Sequence, residues 1–126
     1  MKVWTAWLAL VGVLVGSPVL AETIDGNVLL RGCRLVVDDN DGGQFTIKQG
    51  MDFGYCIGVL EGVRVTMMLH NELLAPEYKT CFPKSGIINE QATRIIVKYL
   101  NDHPADLHKP PSFLTLLAFK DAYPCK

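Results

Sequence analysis

Residues 50–67 read GMDFGYCIGVLEGVRVTM, with glycine at Gly50, Gly54, Gly58 and Gly62 and an apolar set at Cys56, Val59, Val63 and Met67. Positions three and four apart share one side of a helix, so both sets point to helix. The helix is predicted from about Gln44 to Leu74. Glycine costs about 1 kcal/mol relative to alanine inside a helix, so four of them call for a compensating contact. Their spacing puts all four close to one face, where another helix can approach nearly to backbone contact. Membrane-spanning pairs use the same spacing, but Asp52, Glu61 and Arg64 lie within this stretch. The expectation is a soluble bundle in which Gly50, Gly54, Gly58 and Gly62 are helix-packing residues, with the apolar stripe beside them meeting the preceding helix.

That preceding helix opens at Asp25-Gly26-Asn27, where Asp and Asn can accept hydrogen bonds from exposed backbone N–H groups. Leu29, Cys33, Val36 and Val37 recur at helical spacing, which turns Cys33 toward the core. Asp38-Asp39-Asn40-Asp41-Gly42-Gly43 stops the helix with turn-forming residues. Downstream, Pro76 ends the long helix and residues 77–86 form a loop containing Cys81 and Pro83. A third helix is predicted from near Asn89 to about Asp102, with Ile88, Ala92, Ile95, Ile96 and Tyr99 on its buried face. Pro104 breaks it and suits the first turn of a short helical piece. Pro110 and Pro111 precede a last helix filled by Phe113, Leu114, Leu116, Leu117 and Ala118, which ends by Pro124-Cys125. No stretch alternates apolar and polar residues as a half-buried strand would. The fold class is all-α, a compact bundle of four main helices.

The chain starts with Met1-Lys2, an apolar and small stretch over residues 3–15, then Gly16-Ser17-Pro18 and Val19-Leu20-Ala21. This is the pattern of a secretory signal peptide cleaved after Ala21, and the apolar run is too short to span a bilayer comfortably. The expected mature form is a single domain over residues 22–126, free of the membrane and located in the periplasm. No cysteine stands at the cleavage point to carry a lipid. The full chain has 12 basic and 13 acidic residues for a net charge of −1. Losing Lys2 with the leader moves this to −2, which argues against nucleic acid or an anionic membrane as the main partner.

Cys33, Cys56, Cys81 and Cys125 all remain, an even number in an exported chain, so two disulfides are expected. Four cysteines allow three connectivities, and sequence alone does not choose among them. The helix order favours Cys33–Cys56, inward on consecutive antiparallel helices, and Cys81–Cys125, between a loop and the C-terminus. The second bridge would pin the last helix.

Catalytic chemistry finds little support. If every cysteine is bridged, no thiol remains as a nucleophile, and Ser85 and Ser112 sit in no Gly-x-Ser-x-Gly turn. His103 before Pro104 reads as a helix stop, and His70 as a solvated helix end. Asp102, His103, Asp106 and His108 make a thin case for a metal, and Met67 with Met68 a thinner one for copper, since such residues are usually turn and core chemistry. No catalytic residue, metal or cofactor is expected. Two surface segments are the candidate partner-binding residues: the acidic turn with Asp38, Asp39 and Asp41, able to protrude into a cleft, and the loop with Glu72, Glu77, Tyr78 and Lys79, whose tyrosine can anchor an interface. A rival reading is a carrier of a small apolar ligand held between helices, or an envelope accessory binding protein.

Taken together, the motifs resemble those of the Rap/Tai family of immunity proteins, which neutralise peptidoglycan amidases delivered by type VI secretion. The resemblance rests on Gly26-Asn27-x-Leu29-Leu30-x-x-Cys33, Cys56-x-Gly58-x-x-x-Gly62-Val63, Cys81-x-Pro83-x-x-Gly86, Gln91, Val97-x-Tyr99-Leu100-x-x-His103-Pro104 and Pro124-Cys125. These run in order over nearly the whole mature chain. One departure is Val59, where the family usually has an aromatic residue. The resemblance implies an all-helical periplasmic protein with two disulfides, a cognate secreted peptidoglycan amidase as partner, inhibition by covering its active-site cleft, and a possible homodimer. The matching residues are structural ones, so the binding surface is not among them.

Overall fold

The structure, a computed structural model, describes residues 23–38 and 42–126. The leader over residues 1–21, and Asp39 and Asp41 of the acidic turn, lie outside the described residues. Four helices follow in order: α1 (Gly26–Val37), α2 (Ile47–His70), α3 (Asn89–Asp102) and α4 (Pro111–Ala122). Single 3-10 turns occur at Asn71–Leu73, Pro76–Tyr78 and Pro104–Asp106. Among the described residues the only strand-like pairing is one isolated bridge between Thr80 and Pro124. The fold is all-α, as the periodicities predict.

Local chemistry sets the ends. Asp25 caps α1, its carboxylate accepting from the N–H groups of Asn27 (2.9 Å) and Val28 (3.4 Å). α2 begins at Ile47 and not at Gln44, because Thr46 and Gln49 form a reciprocal cap. The Thr46 hydroxyl accepts from Gln49 N–H (3.2 Å), and Thr46 N–H donates to Gln49 Oε1 (2.9 Å). Its α-helical run stops at His70, and the Asn71–Leu73 turn takes the chain on. Pro111 opens α4, where its missing N–H leaves no donor unpaired.

α1 packs against α2 and α3, and α4 also packs against α2 and α3. Leu29, Cys33, Cys56, Leu60, Ile96, Leu100, Leu114 and Phe119 are fully buried where the four helices meet. Val59, the family departure, is half-buried and packs against this core. Ile88 is a correction: it precedes the first turn of α3 and stands exposed, one turn before the buried face begins at Ala92.

Both disulfides join the expected partners, Cys33 to Cys56 and Cys81 to Cys125. The first links α1 to α2 inside the core. The second ties the loop after α2 to the C-terminus, beside a hydrogen bond from Cys81 N–H to the Tyr123 carbonyl (2.9 Å). Phe82 next to it packs against Phe119 and Tyr123, with ring centroids 5.4 and 5.7 Å away.

The glycines need a second correction. Gly50, Gly54, Gly58 and Gly62 are all exposed, and a Cβ added at any of them would meet nothing within 4 Å. Among the described residues they pack against no other helix. The close approach is made instead by Gly32 on α1, where an added Cβ would lie 2.1 Å from the Asp52 carbonyl oxygen. Gly26 is equally confined, 2.5 Å from Leu114 Cδ1 and 2.8 Å from the Leu107 oxygen by the same construction. α2 therefore meets α1 through its Asp52–Cys56–Leu60 side, and the glycine face turns to solvent.

Candidate partner-binding surface

The two predicted binding segments lie at opposite ends of α2. Asp38 is the exposed C-cap of α1, leading into the turn before α2, where Gly42 and Gly43 adopt φ of +65° and +76°. Residues 72–79 follow the far end of α2, which spans about 36 Å for 24 residues. The structure brings Glu72, Glu77, Tyr78 and Lys79 together and keeps Asp38 away from them.

The 72–79 segment is ordered by its own contacts. Lys79 Nζ donates to Glu72 Oε2 at 3.3 Å, and Thr80 N–H donates to Asn71 Oδ1 at 2.9 Å. Tyr78 is half-buried and meets Phe113 edge-on at 6.3 Å, so it rests against the start of α4. Glu77 is exposed.

Phe113 also lines an open apolar groove of about 550 Å³ between the last turns of α2 and the first turns of α4. Its walls include Gly62, Val63, Thr66, Met67, His70 and Phe113. This groove escapes sequence reading because α2 and α4 supply it from positions some fifty residues apart. The spacing of Phe113 after Pro110-Pro111 marks it as helical without saying which neighbour it faces.

The histidines and the carboxylates weighed for catalysis or metal binding make local contacts. His70 and Ser112 both line the groove. His70 Nδ1 lies 3.2 Å from the Thr66 carbonyl oxygen, an interaction within its own helix end and not with a carboxylate that would orient a catalytic imidazole. His103 Nδ1 meets the Tyr99 oxygen at 2.7 Å, and its ring stacks on Tyr99 at 4.0 Å. Asp102 pairs with Lys98, and Asp106 with Lys109 at 2.8 Å. The Lys109 hydrogen bond holds the Asp106 carboxyl below its ordinary value, against a smaller opposing effect of burial. Among the described residues no three His, Cys, Asp or Glu side chains gather where they could hold a metal ion, and every cysteine is bridged.

A second surface feature is the outer face of α2. Ile47 is 87% exposed, Met51 71%, Leu69 74% and Val65 46%, on the same side as Gly54, Gly58 and Gly62. No helix of the described residues is long and apolar enough to cross a membrane, so this face is not part of a spanning segment.

No curated protein and no solved structure matches the chain. A family model for Rap1a immunity proteins matches residues 25–125, from the cap of α1 to the last disulfide cysteine. The chain belongs to the Rap1a immunity protein family.

Proposed function

We propose that this chain is a periplasmic immunity protein that binds a peptidoglycan amidase delivered by type VI secretion and blocks its active-site cleft. In this reading residues 1–21 direct export and are removed, residues 22–126 form the single working domain, and the inhibitor is a homodimer. It acts by binding and not by catalysis. The observation that carries the reading is the family match over residues 25–125, which takes in all four helices and both disulfides.

The fold suits the task. Two cross-links hold the loops and helix ends in place before the partner arrives, which lowers the ordering cost of association. The candidate contact surfaces are the Asp38, Asp39, Asp41 turn and the Glu72, Glu77, Tyr78, Lys79 segment beside the groove. An immunity protein working at low concentration needs a dissociation constant of about nanomolar or below.

The test is to mix mature protein, residues 22–126, with the secreted peptidoglycan amidase encoded nearest to its gene and follow peptide release from peptidoglycan. Stoichiometric loss of amidase activity is expected. Full activity with excess protein, for that enzyme and for any other secreted locally, would refute the immunity role. The apolar groove of about 550 Å³ favours one rival, a carrier of a small apolar ligand. Mass spectrometry of a solvent extract of the purified protein distinguishes them, since a carrier would release a stoichiometric lipid.

A further inference from the structure

The outer face of α2 has a symmetry that no contact among the described residues explains. Counting from Gly58, Gly54 and Gly62 lie four residues to either side, Met51 and Val65 seven, and Ile47 and Leu69 eleven. At about 100° per residue, all seven fall within roughly 40° of one line along the helix. The line reads the same in both directions: large apolar side chains at each end and three glycines in the middle. None of the seven carries an ionisable group.

Among the described residues the glycines have no compensating contact, because each would-be Cβ points into open space. A helix that keeps three central glycines on an exposed apolar face lets a second backbone approach there. A pattern that is equal in both directions is what a two-fold contact between copies requires, since residue i then meets residue j and j meets i. We infer that α2 pairs with α2 of a second copy, antiparallel and crossing at Gly58. In that pairing Gly58 faces Gly58, Gly54 faces Gly62, Met51 faces Val65 and Ile47 faces Leu69.

The apolar groove continues this surface, since Gly62 and Thr66 form part of its wall. The flexible Met51 of the second copy, opposite Val65, comes beside Thr66 and fills the groove's edge. The seven positions span about 33 Å, and a helix is roughly 10 Å wide. Pairing of the helices alone therefore covers on the order of 350 Å² per copy in projection, about half the roughly 800 Å² per partner of a standard interface, so the contact is a weak one to which the groove and Leu73 add. The dimer should thus form at micromolar chain concentration and exchange readily.

This rests on the homodimer reading and names its surface. Sedimentation equilibrium of the mature protein over roughly 1–100 μM, with amidase inhibition measured in parallel, tests both. Gly58→Leu should weaken self-association by about tenfold or more, while Gly50→Leu, about 80° off the line, should leave it within about twofold. Both variants should keep the parent circular dichroism spectrum, since neither position touches the rest of the chain. Gly58→Cys should also oxidise to a covalent dimer, and Gly50→Cys should not. A dimer indifferent to Gly58→Leu would overturn the α2 pairing and leave the homodimer standing. A monomer at every concentration would overturn both and leave amidase inhibition to its own assay. A monomer that loses amidase inhibition on Gly58→Leu would assign this face to the amidase and overturn the pairing.

Discussion

At the scale of single residues, an ion pair fixes α2 on α1 beside the Cys33–Cys56 bridge. Asp52 is 8% exposed, and Arg31 reaches it with Nε at 2.8 Å and Nη2 at 3.3 Å, while Lys48 Nζ stands 3.6 Å away. The Arg31 hydrogen bond, opposed by burial and helped by the charges of Arg31 and Lys48, holds the Asp52 carboxyl below its ordinary value of 3.8. A depressed carboxylate contributes stability that is complete above the unfolded value and is lost as pH falls through the lower folded value. Asp52→Asn should therefore lower stability by about 1–2 kcal/mol at pH 7 in urea unfolding. The gap between variant and parent should close as pH drops through about 4 and below. A gap that stays constant down to pH 2 would mean that packing, and not charge, makes the contribution. This pair was out of reach in the sequence: Arg31 and Asp52 are 21 residues apart, and no periodicity joins them. Asp52 reads there only as a charge incompatible with a membrane span.

At the scale of elements, periodicity tells which residues share a face but not what covers that face. The four helices, the Asp25 cap, the Pro111 start and the disulfide partners were legible because each follows from local spacing or from helix order. Glycine spacing was legible as a stripe and misread as an internal packing surface, since solvent, a helix of the same chain and a second chain all leave the same sequence trace. Gly26 and Gly32, the glycines that do pack closely, lie six residues apart in α1 and form no three-and-four repeat to flag them. Ile88 continues the three-and-four spacing onto the cap position just before α3, which is why the pattern placed it inside. The two kinds of glycine should respond oppositely to one added methyl. Gly50→Ala, in open space and off the proposed pairing line, should raise stability by up to about 1 kcal/mol through helix propensity alone. Gly32→Ala would drive a Cβ to 2.1 Å from the Asp52 oxygen, so backbone must shift, at a cost of about 1–3 kcal/mol or more. Thermal unfolding of the two variants beside the parent decides this, and equal shifts of the same sign would contradict the packing described for α1 and α2.

For the whole molecule, the question is how a core this small stays folded. One layer of side chains where four helices meet, with Leu60, Ile96, Leu100, Leu114 and Phe119 at its centre, leaves a domain of this size only marginally stable without cross-links. The two disulfides close loops separated by 23 and 44 residues, worth roughly 3 and 4 kcal/mol through the unfolded state. Together that is comparable with the entire stability of an ordinary domain, about 5–15 kcal/mol. The bridges differ in access: Cys33 and Cys56 are fully buried, whereas Cys81 and Cys125 are exposed. A thiol reductant should therefore open Cys81–Cys125 first. Alkylation followed by peptide mass mapping should find Cys81 and Cys125 labelled while Cys33 and Cys56 are still protected. At that stage α1, α2 and α3 should keep their helical signal, because the core bridge still joins α1 to α2, while α4 loses its tether to the loop that carries Phe82. Complete reduction should then abolish the cooperative unfolding transition near 37 °C. Simultaneous labelling of all four cysteines would show that the core opens as readily as its edge. A fully reduced chain with an unchanged transition would show that helix packing alone holds the domain, and that the cross-links serve only to keep the binding surface in shape.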